Sequence, residues 1–240
     1  MIIRFILLII GAYLLGSVPT AYLVAKWTRG MDIRRYGSGN VGAANIFTIA
    51  SRWTSIIVVI FDLGKGMLPV YIARLVNLQL DQQIVVGLAA IAGHNWTVFL
   101  RFSGGRGILT TLGVLFVFAP WLALVLTAFA FAWLPFKQFA FGTFLALLLL
   151  PILSWFLPKL FGIEQSLTLT LGFIAMLLLA IVRRLTAPRT AVTASVPQGE
   201  LIVNRLLFDR DIRDRTAWIR RAPTDVSPAE ESGKERQAKS

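Results

Sequence analysis

Three stretches of the chain hold side chains able to do chemistry. The first is Gly37-Ser38-Gly39-Asn40, followed by Asn45, which puts a hydroxyl and two carboxamides in a glycine-rich run beside Lys26, Arg29, Arg34 and Arg35. Glycines let successive N–H groups converge, which is how a backbone cradles phosphate oxygens. A plain surface loop has the same composition. The second stretch sets Asp62 and Lys65 three residues apart in an otherwise apolar run. Residues at i and i+3 share a helix face, so the two charges can neutralise each other, and ionisable groups at membrane depth are functional candidates because they are costly there. A structural ion pair reads the same way. The third runs from His94 and Asn95 to Gly104-Gly105-Arg106-Gly107. A glycine turn leading into a helix exposes unpaired N–H groups, and Arg106 adds a forked phosphate donor. His94 taken alone reads as a packing residue.

These residues need elements to position them, and composition says which. The 240 residues are 56% hydrophobic and 15% charged, with a mean hydropathy of +0.71, too apolar for an ordinary soluble domain. There is no cysteine and a single histidine, which excludes disulfides and any thiolate or multi-histidine metal site. The net charge of +12 points to anionic lipid or an anionic substrate, not to nucleic acid. About 20 apolar residues cross a bilayer. Such runs are expected over 3–25, 53–75, 83–100, 107–119, 121–136, 139–158 and 166–183, with Pro120 dividing an uncharged region. The uncharged run from Phe5 to Ala25 is read as a first span, because several more follow it.

Lys26, Arg29, Arg34, Arg35 and Arg52 crowd the first loop, Arg101 and Arg106 the third, and Lys137 the fifth. By the excess of cations on the cytoplasmic side, the N-terminus lies outside and the active loops face the cytoplasm. The fold class expected is therefore an all-α integral membrane protein of about seven transmembrane helices, with glycine-rich cytoplasmic or re-entrant loops. Residues 1–185 form the membrane domain and 186–222 a cytoplasmic basic amphipathic segment. Within it, the alternation of Leu201, Ile202, Leu206 and Trp218 with Arg205, Arg210 and Arg213 suggests a helix lying on anionic lipid. Residues 223–240 are polar and read as a disordered tail.

Taken in order, the motifs resemble the bacterial acyl-phosphate-dependent glycerol-3-phosphate acyltransferases. The resemblance rests on Gly16-Ser17-Val18-Pro19-Thr20-Ala21, on the glycine-asparagine run from Gly37 to Asn45, on Asp62-x-x-Lys65-Gly66, and on the block from Gly93 to Gly107. It covers residues 1–115 well and extends more weakly to about 185. It implies a seven-span enzyme of the cell inner membrane that moves a fatty acyl group from acyl phosphate to the 1-hydroxyl of glycerol 3-phosphate, forming lysophosphatidic acid, with no metal or other cofactor. Ser38 would bind glycerol phosphate, and Gly104, Gly105 and Gly107 would hold acyl phosphate. Arg106 stands where the family has lysine. Ser38, Arg106 and His94 are the catalytic candidates; Gly37, Gly39, Asn40, Asn45, Asp62, Lys65, Asn95, Gly104, Gly105 and Gly107 are the binding candidates.

Six further family positions differ: Ala44 replaces a threonine, Thr48 an arginine, Phe139 a tyrosine, Ala140 a serine, Arg184 a histidine and Ala187 an asparagine. Arg52, Arg183 and Arg184 are the cations available to replace lost donors. Two other readings share the motifs. One is a paralogue with altered chemistry that binds phospholipid or another phosphorylated alcohol. The other is a small-anion transporter, although such proteins are commonly built from two related halves and no internal repeat is present.

Overall fold

The computed structural model describes residues 2–187, 193 and 196–219. The described residues form helices joined by turns. Helix α1, Ile2–Ser17, is interrupted at Val18-Pro19, because proline disfavours helical backbone in the residue before it. Helix α2, Thr20–Arg29, resumes beyond the break and stops at Gly30, whose φ of 66° closes the helix. After the short α3, Ala43–Ile49, the Ser51 side chain accepts the Thr54 N–H and starts α4, Arg52–Leu75. Helix α5, Leu80–Asn95, opens with reciprocal bonds between Gln79 and Gln82.

Pro120 acts as expected. Helix α6, Ile108–Phe118, ends just before it, and α7, Pro120–Phe131, begins on it. Helices α8, Phe139–Phe156, and α9, Ser166–Leu185, complete the apolar set. Among the described residues, five segments are long and apolar enough to cross a membrane: 2–29, 52–75, 80–100, 139–156 and 166–185. At about 1.5 Å per residue, α6 and α7 each reach roughly half the thickness of a bilayer. The two runs expected around Pro120 are thus both helical and both short.

The helices pack closely where side chains are absent. Gly66 of α4 lies against the Thr110 carbonyl of α6, and Gly113 of α6 against the Leu63 carbonyl of α4. A bond from Arg74 to the Val117 carbonyl at 2.9 Å shows that α6 runs in the same direction as α4. Between α1 and α5, Gly16 meets the Ala90 carbonyl and Gly93 the Tyr13 carbonyl. Leu122, Leu150, Phe173 and Met176 fill the main core, while Ile60, Leu68, Leu124, Leu171 and Leu178 stay exposed on the outside, as a lipid-facing surface requires. The start of α1 packs through Phe5, Leu8 and Ile9 near Ala73 and Leu78, where α4 turns into α5. The end of α9 lies at the opposite end, beside Gly104 and Gly105.

Within the amphipathic segment expected over 186–222, the described residues 196–219 hold two short helices, α10, Gln198–Phe208, and α11, Arg215–Ile219. They are separated at Asp209, which adopts a left-handed φ of 53°. Helix α10 packs on α8 and α9 with Leu201, Asn204 and Arg205 buried. The expected tail 223–240 lies outside the described residues.

Candidate active site

The first-loop motif is organised by Asn45. Its Oδ1 accepts the Ser38 N–H at 3.1 Å, and its Nδ2 donates to the carbonyls of Tyr36 at 3.0 Å, Asn40 at 3.1 Å and Ile33 at 3.3 Å. Gly37 and Gly39 take φ of 58° and 68°, bending the loop around that amide, and Asn45 also fills the space beside the Gly37 Cα. The carboxamide is fully occupied by backbone, so Asn45 shapes the loop. Ser38 and Asn40 remain half-buried, with Ser38 Oγ accepting the Asn40 N–H at 3.4 Å. At the loop's entrance, Asp32 takes a forked contact from Arg34, with Nη2 at 2.6 Å. That hydrogen bond holds the Asp32 carboxyl below its usual range.

The α1–α2 break creates the second part. Lys65 Nζ donates to the Val18 carbonyl at 3.0 Å and pairs with Asp62 Oδ1 at 2.8 Å, both side chains being buried. His94 Nδ1 lies 4.0 Å from the same carboxylate oxygen. Thr97 donates to the Ser17 carbonyl, and Ser17 donates to the Gly93 carbonyl at 3.3 Å, tying the break to the end of α5. A small cleft opens here, lined among others by Thr20, Asp62, Lys65, His94, Gly104 and Gly105.

The third part is the glycine turn before α6. Gly105 sits against His94 Nε2 and the Val41 carbonyl, so a side chain there would collide with both the imidazole and the first loop. Its N–H donates to the His94 carbonyl at 3.0 Å. Arg183, from the end of α9, donates to the Gly104 carbonyl at 2.6 Å and the Gly105 carbonyl at 2.7 Å. In a trans peptide the following N–H points away from its carbonyl, so Arg183 turns the Arg106 N–H in the opposite direction. Gly107, with φ of 71°, caps α6 without a side-chain bond, leaving the first-turn N–H groups for a ligand. Behind it Asn95 is wholly buried, and neither amide atom has a hydrogen-bond partner among the described residues. Its Oδ1 faces the Gly107 Cα.

Asp62, Lys65, His94, Gly104 and Gly105 therefore meet in one cleft. Gly37, Ser38, Gly39, Asn40, Asn45, Asn95, Arg106 and Gly107 do not line it; the first loop reaches it through Val41, and the turn through Gly105. Arg106 pairs through Nε with Asp209 Oδ1 at 2.5 Å. Of the cations available as replacements, Arg52 lies over the Trp53 ring, Arg183 holds the turn, and Arg184 donates to the carbonyls of Ala140, at 3.0 Å, and Leu206. Thr48 is exposed and bonds only its own helix, at the Ala44 carbonyl. The motif reading missed Thr97 and Asp209. Thr97 lies inside the Gly93–Gly107 block but was not singled out, whereas nothing in the pattern around Asp209 marks it. No group of three or more His, Asp or Glu side chains that could hold a metal ion occurs among the described residues.

A family model described as glycerol-3-phosphate acyltransferase matches residues 6–191. "Glycerol-3-phosphate acyltransferase 5" of Dehalococcoides mccartyi is 49% identical over 228 residues, covering 95% of this chain and 97% of that protein. The enzyme of Endomicrobium trichonymphae bearing the same family name is 41% identical, over 63% of this chain. The crystal structure of PlsY (YgiH), an integral membrane glycerol 3-phosphate acyltransferase, in its glycerol 3-phosphate form superposes with a TM-score of 0.68 at 29% identity, covering 88% of this chain and 96% of that one. The ordered motifs, the helical membrane fold and these matches agree: the chain belongs to the glycerol-3-phosphate acyltransferase family.

Proposed function

We propose that this protein transfers a fatty acyl group from acyl phosphate to the 1-hydroxyl of glycerol 3-phosphate, forming lysophosphatidic acid and inorganic phosphate at the cytoplasmic face of the cell inner membrane. The observation that carries this reading is the Gly104–Gly107 turn. Its Gly104 and Gly105 carbonyls are drawn back by Arg183, and the Arg106 N–H this turns outward joins the open N-terminus of α6, beside a buried polar cleft in a lipid-facing bundle. Such a turn suits a phosphate group, and Arg106 adds charge-assisted donors. Ser38, on the loop that abuts the turn, serves the glycerol phosphate. Asp62 and Lys65 fix the α1–α2 break around the acceptor, and Asn95 and His94 support the turn from behind.

Attack by the acceptor hydroxyl oxygen on the acyl carbonyl carbon forms the ester as the carbon–oxygen bond to phosphate breaks. The phosphate leaves with that electron pair, and one of its oxygens takes the hydroxyl proton. The protein contributes positioning and stabilisation of the developing oxyanion. Seven membrane segments with the N-terminus outside are supported by the opposite placement of the α1 start and the α9 end, and by the cations of the odd loops. Residues 1–185 form the catalytic unit and 186–222 a cytoplasmic segment, whose exposed Arg213 and Arg215 suit anionic lipid.

The test is acyl transfer by the purified protein in lipid, with labelled glycerol 3-phosphate and either palmitoyl phosphate or palmitoyl-CoA. Lysophosphatidic acid is expected from palmitoyl phosphate alone, and its formation is expected to be abolished by Arg106→Ala and by Ser38→Ala. Absence of product from both donors, with a family member active in parallel, would favour the altered paralogue.

A further inference from the structure

Three guanidinium groups converge at the cytoplasmic end of the bundle, those of Arg106, Arg183 and Arg184. Two of them are committed to backbone carbonyls, Arg183 to Gly104 and Gly105, and Arg184 to Ala140 and Leu206. Among the described residues Arg106 has no hydrogen bond to a backbone carbonyl; its Nε is held by an ion pair with Asp209 Oδ1, a close charge contact and not an aligned hydrogen bond. The same carboxylate acts electrostatically on Arg183 and Arg184. Asp209 lies beyond residues 6–191, the stretch the family model matches.

The segment that carries Asp209 is firmly built. Arg205 donates to Asp211 Oδ1 at 2.7 Å and to the Leu185 carbonyl at 2.9 Å. Asn204 donates to the Asp211 carbonyl at 3.3 Å, and Thr193 to Asp211 Oδ2 at 2.5 Å. Phe208 lies 6.0 Å from Phe141 of α8. The segment also meets two of the positions where this chain departs from the family pattern: Arg106 pairs with Asp209, and Arg184 donates to Leu206.

We propose that Asp209 is a positioning residue for acyl transfer, holding Arg106 by Nε so that the two terminal nitrogens of its guanidinium are presented to the phosphate of the acyl donor, and that the C-terminal segment is thereby a wall of the active site. A lysine at position 106 would need no such partner, because its ammonium is a point charge without a fork to orient. One carboxylate against three guanidinium groups leaves the mouth net positive, as a phosphate dianion requires. The proposal rests on the reading that Arg106 binds that phosphate.

Asn and Gly both suit the left-handed conformation of residue 209, so Asp209→Asn and Asp209→Gly remove the charge and spare the turn. Steady-state kinetics of the full-length protein in lipid, with a thermal melt of each variant, give the test. Both variants are expected to raise KM for palmitoyl phosphate about tenfold while kcat stays within about twofold. KM for glycerol 3-phosphate and the melting temperature are expected to stay near wild type, and Asp209→Glu to restore most of the affinity. An unchanged KM, a lowered KM, or equal impairment by Glu, Asn and Gly together with a lowered melting temperature would each overturn the proposal. Arg106→Ala is measured alongside: if its KM for palmitoyl phosphate is unchanged, the phosphate-binding role of Arg106 itself is lost, whatever Asp209 does.

Discussion

Charge is handled differently in the cleft at the α1–α2 break and at the mouth of the bundle where α9 ends. In the cleft, Lys65 and Asp62 sit three residues apart on one helix and neutralise each other, with the Val18 carbonyl taking a further Lys65 bond. At the mouth, Arg106, Arg183 and Arg184 come from the turn before α6 and the end of α9, and their partners are backbone carbonyls and a carboxylate from beyond the last span. A self-neutralised pair can stay buried within the bilayer at modest cost, whereas an excess of cations is tolerated only where each has donors to share and an anion to receive. The cleft is thus neutral within itself, whereas the mouth carries an excess of positive charge, which is what the proposed phosphate site requires.

The largest effect should come from breaking the pair in the cleft. With Asp62 and Lys65 only 2% and 5% exposed, Lys65→Met leaves a stranded carboxylate and is expected to cost about 3–5 kcal/mol of stability, read as a lowered melting temperature in detergent. The double variant Asp62→Asn/Lys65→Met should recover most of that loss; a double variant as unstable as the single one would mean that the pair is not self-contained. At the mouth, Arg183→Gln removes the charge that draws back the Gly104 and Gly105 carbonyls, and kcat/KM is expected to fall by roughly 100-fold with little change in melting temperature. A fall in stability without a fall in turnover would make Arg183 a structural clamp only. The scaffold shared by both regions is sensitive at its glycines: Gly113→Ala drives a methyl into the Leu63 backbone and should destabilise by about 1–3 kcal/mol, with activity per folded molecule retained.

The same division explains what could be read from the chain. The cleft was legible because its charges lie within one helical turn, and i, i+3 geometry follows from spacing alone. Segment positions were legible too, since apolar runs and the proline at 120 set the helix limits locally, whereas the run expected over 3–25 was read as one segment and breaks at Val18-Pro19. The mouth was not, because Arg106, Arg183 and Asp209 are brought together by the packing of α9 and α10, which leaves no period in the sequence. Asn45 was legible as a residue and not as a role: spacing to Gly37 and Ser38 could not show that one carboxamide satisfies four backbone groups. The amphipathic pattern within 186–222 had a similar limit. Its arginines suggested lipid, but Arg205 is buried on Asp211 instead, a partner six residues away that only the left-handed bend at Asp209 makes reachable.

The smallest effect belongs to the surface pair that precedes the first loop, and it separates exposed charge from both buried sets. Arg34 holds the Asp32 carboxyl below its ordinary value of 3.8, so the pair contributes stability above that value and loses it as the pH falls through the lower, folded-state value. Because both side chains are partly exposed, Asp32→Asn is expected to cost less than about 1 kcal/mol near neutral pH. The difference in melting temperature between wild type and variant should shrink as the pH is taken below 3.8 and as salt is raised. Asparagine keeps an oxygen able to accept the Arg34 N–H, so a difference that persists in acid would mean that the contribution of Asp32 does not come from its charge.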